Sequence, residues 1–253
     1  MAIPTRKPQE IQKIHKANII VAQTLNFLRE TIKIGDSLKE IDAMGEDFIR
    51  QNGGRPSFKG LYGFGGSVCT SVNEVIIHGW PTDYTLKDGD ILGLDIGVEL
   101  DGWYGDAAIT MPIGKISSKD EELINCSKDA LYFAIDNIKV GMRFKELSFE
   151  LEKFIKDRGF TPLLNFCGHG IGRKPHEEPE IPNYVTGIKV KQGPKIKNGM
   201  VFCLEPMICQ KDGASILLDD KWSVVSKDGL KGSHYEHTVA IIDNKAVILS
   251  QEE

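Results

Sequence analysis

The chain has 253 residues and a formal net charge of −5 at pH 7; 41% of its residues are hydrophobic and 26% are charged. This composition is ordinary for a globular protein, and it excludes a disordered chain, a collagen and a disulfide scaffold. The acidic balance provides no overall positive field of the kind that attracts nucleic acid, so we predict no specific nucleic-acid partner.

The cysteines and the N-terminal segment predict the compartment. Five cysteines are scattered along the chain without a CxxC pair, which favours free thiols in a reducing compartment. The first residues carry charges throughout and lack the apolar segment of a secretory signal. No stretch approaches the roughly 18 apolar residues that cross a membrane. We therefore expect a cytoplasmic protein with no membrane partner.

A repeated segment sets the order of the predicted helices. Residues 35–56 align without a gap on residues 141–162, at a constant offset of 106 positions. Each copy predicts a glycine turn and an amphipathic helix that ends at a second glycine, and another predicted helix precedes each copy. The identical pairs are Gly35/Gly141, Lys39/Lys145, Glu40/Glu146, Phe48/Phe154, Ile49/Ile155, Gly53/Gly159 and Pro56/Pro162.

A third matching segment predicts that strands follow the helices in each half. Residues 86–96 resemble residues 196–206, and this match aligns Asp95 with Glu205. Each of these acids lies six positions after a glycine, within a segment typical of a strand. We expect the two acids to face each other across a pseudo-twofold axis.

The duplication also predicts the domain organisation. Residues 1–253 would form a single α+β domain made of two pseudo-symmetric halves, at about 10–112 and 118–250. Three matching segments in the same order make chance similarity a poor explanation.

A predicted hairpin carries two acids on one face. In residues 91–98, ILGLDIGV, the bulky side chains alternate with small ones, and Asp95 lies on the small face. Residues 101–102, Asp-Gly, predict a tight turn. If these are its central residues, Asp95 lies opposite Ala108, and Asp106 lies diagonally across on the same face, about 7–8 Å away.

The second half repeats this pattern. Glu205 alternates with bulky residues in MVFCLEPM, and Glu236 does so in HYEHTVAII. For each of the four acids alone, exposure to solvent or pairing with a lysine is the simpler reading. Four acids in related positions of the two halves favour a cluster of carboxylates. Because clustered carboxylates repel one another, they need positive charge nearby. Two divalent cations would balance four carboxylates, and a histidine nearby suits manganese, iron, cobalt or zinc.

Three histidines lie in segments that favour function. His169 stands between glycines in CGHGIGRKPHEEP, which also contains His176, and His78 ends the apolar run NEVIIHGWP. Arg173 excludes a dinucleotide-binding GxGxxG motif, and HEEPE does not fit HExxH. The alternation of side chains puts His237 on the apolar face of its predicted strand, so we interpret it as a structural residue and not as a ligand.

Five segments together resemble the signatures of the type I methionine aminopeptidases, in metallopeptidase family M24. They occur in that family's usual order, and the resemblance covers about residues 10–250: SVCTSVNEVIIHGWP, LDIGVELDGWYGDAA, CGHGIGRKPHEEP, FCLEPM and SHYEHTVAI. The resemblance implies the "pita-bread" fold, a pseudo-symmetric α+β domain whose central antiparallel sheet has helices packed on one side. The short interval from His169 to Glu205 leaves no room for the helical insertion of type II enzymes.

The resemblance also implies roles for particular residues. The ligands of two divalent ions, Co, Mn, Fe or Zn, would be Asp95, Asp106, His169, Glu205 and Glu236, with Asp106 and Glu236 bridging. Glu205 would also shuttle protons. The catalytic set further includes His78 and His176, which would also bind substrate.

Substrate recognition is implied in the same way. The methionine pocket would contain Phe64, Cys69 and Trp222, with Leu61 beside them. This chain departs from the family's usual residues at four positions. It has Pro175 where a bulky aromatic is usual, Leu61 and Phe64 where tyrosines are common, and Trp80 where isoleucine is usual. The shape of the pocket is therefore expected to differ from the usual one.

The implied reaction is removal of the N-terminal methionine from nascent polypeptides that have a small second residue, through attack of a metal-activated hydroxide on the first peptide bond. We expect a monomer, and the resemblance allows contact with the ribosome. Two alternatives remain open. One is a non-catalytic binding protein on this fold, and the other is an X-Pro dipeptidase.

Overall fold

The computed structural model describes residues 3–187 and 190–252. Within these ranges, no helix has the length and apolar character needed to cross a membrane. The α-helices are α1 (Pro8–Thr31), α2 (Leu38–Gln51), α3 (Ser118–Asn137) and α4 (Phe144–Lys156), and a short 3-10 helix covers Leu61–Gly63.

The strands lie between and after these helices. In chain order they are β1 (Arg55–Pro56), β2 (Cys69–Val72), β3 (Val75–Ile77), β4 (Ile91–Leu100), β5 (Trp103–Pro112), β6 (Thr161–Pro162), β7 (Cys167–Gly170), β8 (Glu177–Pro182), β9 (Val201–Leu204), β10 (Met207–Cys209), β11 (Ser215–Leu217), β12 (Val224–Ser226), β13 (Gly232–His234), β14 (Glu236–Ile242) and β15 (Lys245–Ile248).

One large antiparallel sheet organises the molecule. Its nine strands run β1-β4-β5-β14-β9-β7-β8, with β2 beside β4 and β15 beside β14. Two smaller sheets have the orders β13-β10-β6 and β11-β12-β3. The chain is therefore an α+β protein in which β14, from the end of the sequence, lies between β5 of the first half and β9 of the second.

The repeated segments have the same local structure. Gly35 and Gly141, in the turns between the paired helices, have positive φ angles of 100° and 94°. The amide of Gly35 donates to the carbonyl of Leu86, and the amide of Gly141 donates to that of Ile196, both at 2.9 Å. Only glycine adopts such φ angles without strain, which explains its presence in both turns.

The helices of the two halves also pack alike. Phe27 stacks on Phe48 with ring centroids 4.6 Å apart, and Phe133 stacks on Phe154 at 4.4 Å. Both pairs are related by the offset of 106 positions found in the sequence. The boundaries 10–112 and 118–250, and a single catalytic domain over residues 1–253, stay predictions.

The large sheet separates an apolar face from the face that carries the acids. In β4 the side chains of Leu92, Leu94 and Ile96 pack with α1 and α2 in one apolar cluster. In the second half, β9 and β14 pack with α3 and α4 in another. Because side chains alternate along a strand, Asp95 lies on the other side of β4. The helices thus cover the apolar face of these strands.

The hairpin of β4 and β5 has the predicted register. Leu100 pairs with Trp103 across the turn, and Asp95 pairs with Ala108. Asp106 pairs with Gly97, which puts it diagonally across from Asp95 on the same face. The prediction made from the turn sequence is confirmed.

Helix α1 approaches the sheet closely at Gly105. A Cβ atom placed there would lie 2.7 Å from the backbone nitrogen of Asn18 and 2.9 Å from the carbonyl carbon of Ala17. The side chain of Asn18 is fully buried, and its Oδ1 accepts a hydrogen bond from the amide of Asp106 at 3.2 Å. The missing side chain at Gly105 therefore allows the helix to support the strand that carries Asp106.

We expect Gly105→Ala to lower the free energy of unfolding by about 1–3 kcal/mol, because the added methyl group meets backbone that cannot move aside cheaply. Chemical denaturation measures this loss. The control is Glu122→Ala, at an exposed position of α3, which should stay within about 0.5 kcal/mol of the parent protein. Equal stability of the two variants would contradict the close packing of α1 on β5.

Candidate metal centre

Five neighbouring strands of the large sheet each bring one donor residue to the same place. In sheet order the donors are Asp95 in β4, Asp106 in β5, Glu236 at the start of β14, Glu205 directly after β9, and His169 in β7. Asp95 in β4 and Glu236 in β14 both pair with Ala108, because these two strands lie on either side of β5. The structure therefore gathers all five residues for which the sequence predicted a ligand role.

Each of the four carboxylates has a buried oxygen that no hydrogen bond satisfies. Asp106 and Glu236 are each 3% exposed. One oxygen of each acid is buried and makes no hydrogen bond: Asp95 Oδ1, Asp106 Oδ1, Glu205 Oε1 and Glu236 Oε1. A buried polar atom without a partner is costly, and a buried unpaired charge is much more so. Such a cluster fits a cation.

The pKa values of the four acids also show the cost of burying carboxylates close together. Burial raises the pKa of Asp95 to about 7. Burial, together with repulsion from the neighbouring carboxylates, raises the pKa values of Asp106, Glu205 and Glu236 well above the ordinary range. Without a cation, these groups resist ionisation, since each additional negative charge meets others at short range.

His169 presents one ring nitrogen to the acids. Its Nδ1 lies 3.1 Å from the carbonyl oxygen of Gly170, and its Nε2 lies 3.4 Å from Glu205 Oε1. Burial lowers the pKa of His169 to about 3, so the ring is neutral at neutral pH. With Nδ1–H donating to the carbonyl, Nε2 carries the free lone pair that a metal ion needs.

The glycines beside His169 are required by close backbone contacts. A Cβ at Gly168 would lie 2.4 Å from the carbonyl oxygen of Cys203, and one at Gly170 would lie 2.1 Å from that of Glu178. The two glycines let β7 lie against both of its neighbours.

The potential ligand atoms form two overlapping groups. Asp106, His169, Cys203 and Glu236 make one, Glu205, His234 and Glu236 make the other, and the atoms of each lie within 4.8 Å of one another. Glu236 belongs to both, as a bridging ligand would. Oxygen donors with imidazole suit transition metals and zinc. The residues present therefore fit the predicted metal.

Cys203 and His234 were not predicted as site residues. Both are buried, and each lies two positions before an acid of the cluster, Glu205 and Glu236 respectively. The alternation of side chains along a strand was the signal that could have identified Cys203. Its Sγ lies 3.6 Å from Thr238 Oγ1.

The structural interpretation of His237 is confirmed. Its Nδ1 lies 2.8 Å from Ser250 Oγ, and its Nε2 lies 3.4 Å from the hydroxyl of Tyr132. These contacts use both ring nitrogens on the side of β14 that packs against α3.

The acids form part of the lining of a cavity of about 610 Å³. His78 and His176 also line it. The ring of His176 contacts that of His169 edge-on, with centroids 4.5 Å apart. His78 lies 5.9 Å from the ring of Phe166 and 6.0 Å from that of Trp222, and it adopts a left-handed φ of 56° that is uncommon for a residue with a side chain.

An apolar wall adjoins the acids. Cys69 pairs directly with Asp95 across β2 and β4, which puts its side chain beside the cluster. Trp222 and Leu61 also line the cavity, whereas Phe64 does not. Phe64 is 1% exposed and packs against the rings of Trp80 and Trp222, at 5.2 and 4.8 Å between centroids. It supports the wall from within the protein.

The sequence analysis did not single out four further apolar residues of the cavity lining. Single apolar residues carry no pattern that separates a cavity wall from ordinary core. They are Phe58, Ile77, Phe166 and Met207.

Comparison with known proteins assigns the chain to a family. Residues 12–243 match metallopeptidase family M24. A methionine aminopeptidase from Helicobacter pylori (strain ATCC 700392 / 26695) is 62% identical over 252 residues, which cover 99% of this chain and 100% of that protein. The chain belongs to the methionine aminopeptidases of family M24. It is accordingly a metallo-aminopeptidase, as the resemblance implied.

Solved structures confirm the fold. The crystal structure of a methionine aminopeptidase from Thermotoga maritima matches with a TM-score of 0.95 and 34% identity, over 99% of this chain and 100% of that one. A prolidase from Pyrococcus furiosus matches with a TM-score of 0.80 and 25% identity, over 98% of this chain and 66% of the prolidase. The predicted pita-bread α+β fold is therefore confirmed.

The metal-free methionine aminopeptidase should become less stable as the pH rises from about 7 to 8. Above pH 7 the histidines of the unfolded chain are mostly neutral and contribute little, so the carboxyl groups decide the slope. The pKa of Asp95 is raised to about 7 in the folded protein, and those of Asp106, Glu205 and Glu236 are raised further above the ordinary range. The folded protein then holds more protons than the unfolded chain, and raising the pH removes that stability.

Urea denaturation at several pH values, with and without divalent metal, measures this slope. Bound metal should remove most of it, since the cation compensates the ionised carboxylates and stabilises the folded state. Metal-free Asp106→Asn should have a shallower slope than the parent protein, because one of the buried acids is gone. A metal-free parent protein whose stability is constant or rises over this range would contradict the electrostatic account.

Proposed function

We propose that the chain removes the N-terminal methionine from nascent polypeptides with a small second residue, using two divalent metal ions. The observation that carries this proposal is the set of five donors on five adjacent strands, whose buried oxygens lack partners, beside an apolar wall in one cavity. A cation site and an adjoining apolar pocket are what hydrolysis next to a methionine side chain requires.

The ions would be held by Asp95, Asp106, His169, Glu205 and Glu236, with Asp106 and Glu236 bridging. When bound, divalent ions of this kind polarise the scissile carbonyl and lower the pKa of attacking water towards neutrality. The mixture of carboxylate and imidazole donors favours manganese, iron, cobalt or zinc.

Glu205 would move the proton in this reaction. Its backbone carbonyl accepts a hydrogen bond from the Asn183 side chain at 2.9 Å, which fixes the turn after β9. Its Oε1 makes no hydrogen bond within the protein. A carboxylate in this position accepts a proton from the attacking water and passes it to the leaving amine.

The two histidines would bind the reacting peptide. His176 lies against the ring of His169 at the cavity surface, where it can donate a hydrogen bond to the negative charge that develops on the carbonyl oxygen. His78 stands beside Trp222, from where it would hydrogen-bond the scissile amide.

The apolar wall would accept the methionine side chain. Cys69, Trp222 and Leu61 line the cavity, and aromatic rings and sulfur pack well against a thioether. Phe64 would act by holding Trp222 in place. The proposed partners are nascent polypeptides in the cytoplasm, met by a monomeric enzyme with contact to the ribosome.

An X-Pro dipeptidase is the second candidate, favoured by the similarity of the fold to prolidase. The chain spans about two thirds of that prolidase, whereas it spans the whole of the methionine aminopeptidase structure. A non-catalytic binding protein would not need the donors and histidines that the cavity contains.

Peptide hydrolysis tests the proposed function. The metal-free protein should be inactive on Met-Ala-Ser and regain activity with manganese, iron, cobalt or zinc, each added separately. Elemental analysis should find two ions for each chain. Asp106→Asn should lose metal and activity together, because a bridging carboxylate holds both ions. Faster cleavage of an X-Pro dipeptide than of Met-Ala-Ser would support the second candidate instead.

His176→Ala should keep its metal and lose about a hundredfold or more in kcat on Met-Ala-Ser, because it removes a hydrogen-bond donor to the transition state. The control is Lys197→Ala, at an exposed position that does not line the cavity, whose kcat should remain close to that of the parent enzyme. Full turnover by His176→Ala would remove His176 from the mechanism.

A further inference from the structure

His234 approaches the metal centre from outside the large sheet. It ends β13, a strand of the β13-β10-β6 sheet, and Glu236 begins β14 only two residues later. The chain therefore passes from one sheet to the other at Tyr235, and this passage brings His234 to the cluster from a different direction than the five proposed ligands. The residue is 4% exposed.

The backbone at His234 is held firmly. The hydroxyl of Thr110 donates to the carbonyl of His234 at 2.9 Å and accepts from its amide at 2.9 Å. On the other side, His234 pairs with Met207 in β10. Because a buried hydroxyl of β5 and a neighbouring strand both fix this residue, the direction of its side chain is set by the fold.

The free ring nitrogen points into the cluster of acids. His234 Nε2 is buried and makes no hydrogen bond. It lies 3.8 Å from Glu205 Oε2 and 3.9 Å from Glu236 Oε2. These distances are too long for hydrogen bonds. They approach the separation of two donor atoms on one cation, since metal bonds of about 2.0–2.1 Å put adjacent ligand atoms about 3–3.5 Å apart.

His169 provides a comparison within the same site. Its Nε2 lies 3.4 Å from Glu205 Oε1, also beyond hydrogen-bond length for a well-made contact. The two imidazoles thus approach Glu205 at similar distances, each towards a different carboxylate oxygen. The two rings belong to different donor groups, which share Glu236.

We propose that His234 is a sixth protein ligand of the metal centre, binding through Nε2 the ion that Glu205 and Glu236 also hold. This inference rests on the metal site of the proposed function and adds to its five ligands. Because His169 belongs to the other donor group, each of the two ions would then have one imidazole nitrogen, whereas the five-residue set provides only one in all. Imidazole suits iron, cobalt and zinc, whereas oxygen-only sets suit magnesium and manganese.

The number of coordinated imidazoles tests this proposal. The metal-free full chain is loaded with two Co²⁺ ions for each chain, and paramagnetic proton NMR counts the shifted N–H signals of the coordinated imidazoles. Two are expected in the parent protein, and one in His234→Gln. The matched control is His237→Gln, at a partly buried neighbouring histidine whose ring nitrogens contact Ser250 and Tyr132. It should retain two.

Metal affinity gives a second, independent readout. Competition with a chelator should show that His234→Gln binds its tighter Co²⁺ ion about tenfold or more weakly than the parent protein. The visible absorption spectrum of bound Co²⁺ should change in His234→Gln and not in His237→Gln. Unfolding curves of the metal-free variants verify that both are folded.

Two results would overturn the proposal. A parent protein with only one coordinated imidazole excludes His234 as a ligand, and this measurement needs no variant to fold. An unchanged affinity and Co²⁺ spectrum in His234→Gln would do so as well. In either case two bound ions and metal-dependent hydrolysis of Met-Ala-Ser would leave the proposed function intact, whereas a parent protein that binds no metal would contradict both.

Discussion

The structure depends on a balance between buried negative charge and a cation. Asp95, Asp106, Glu205 and Glu236 meet in one cavity, and each keeps a buried oxygen without a partner. Such an arrangement is costly in a protein interior unless positive charge lies among the acids. Metal binding and the stability of the central sheet are therefore linked, because the same strands hold both the acids and the apolar core.

The opposite face of the sheet supplies the stability that this arrangement needs. Two clusters of buried apolar side chains join β4 to α1 and α2, and β9 and β14 to α3 and α4. Glycines admit the close contacts, as Gly105 does below α1 and Gly168 does beside β9. The strands are thus held rigidly by one face, and the other presents donors at set positions, as metal catalysis requires.

Local sequence patterns predicted the features that depend on short-range geometry. The Asp-Gly turn specified the register that puts Asp95 opposite Ala108, because a two-residue hairpin leaves few alternatives. The cavity wall followed no such pattern. Phe64 has the right chemistry for a methionine pocket, yet it lies beneath Trp222, since burial of an aromatic residue depends on what the rest of the chain brings against it.

By itself, the sequence determined the duplication, the face of each strand on which an acid lies, and the family to which the resemblance pointed. Alternation and repeated glycines are local properties, so they can be read along the chain. Only the tertiary structure decided that β14 lies between β5 and β9, and that His234 enters the site from a second sheet. Strand order and the direction of approach follow from packing between distant segments, and no local pattern records them.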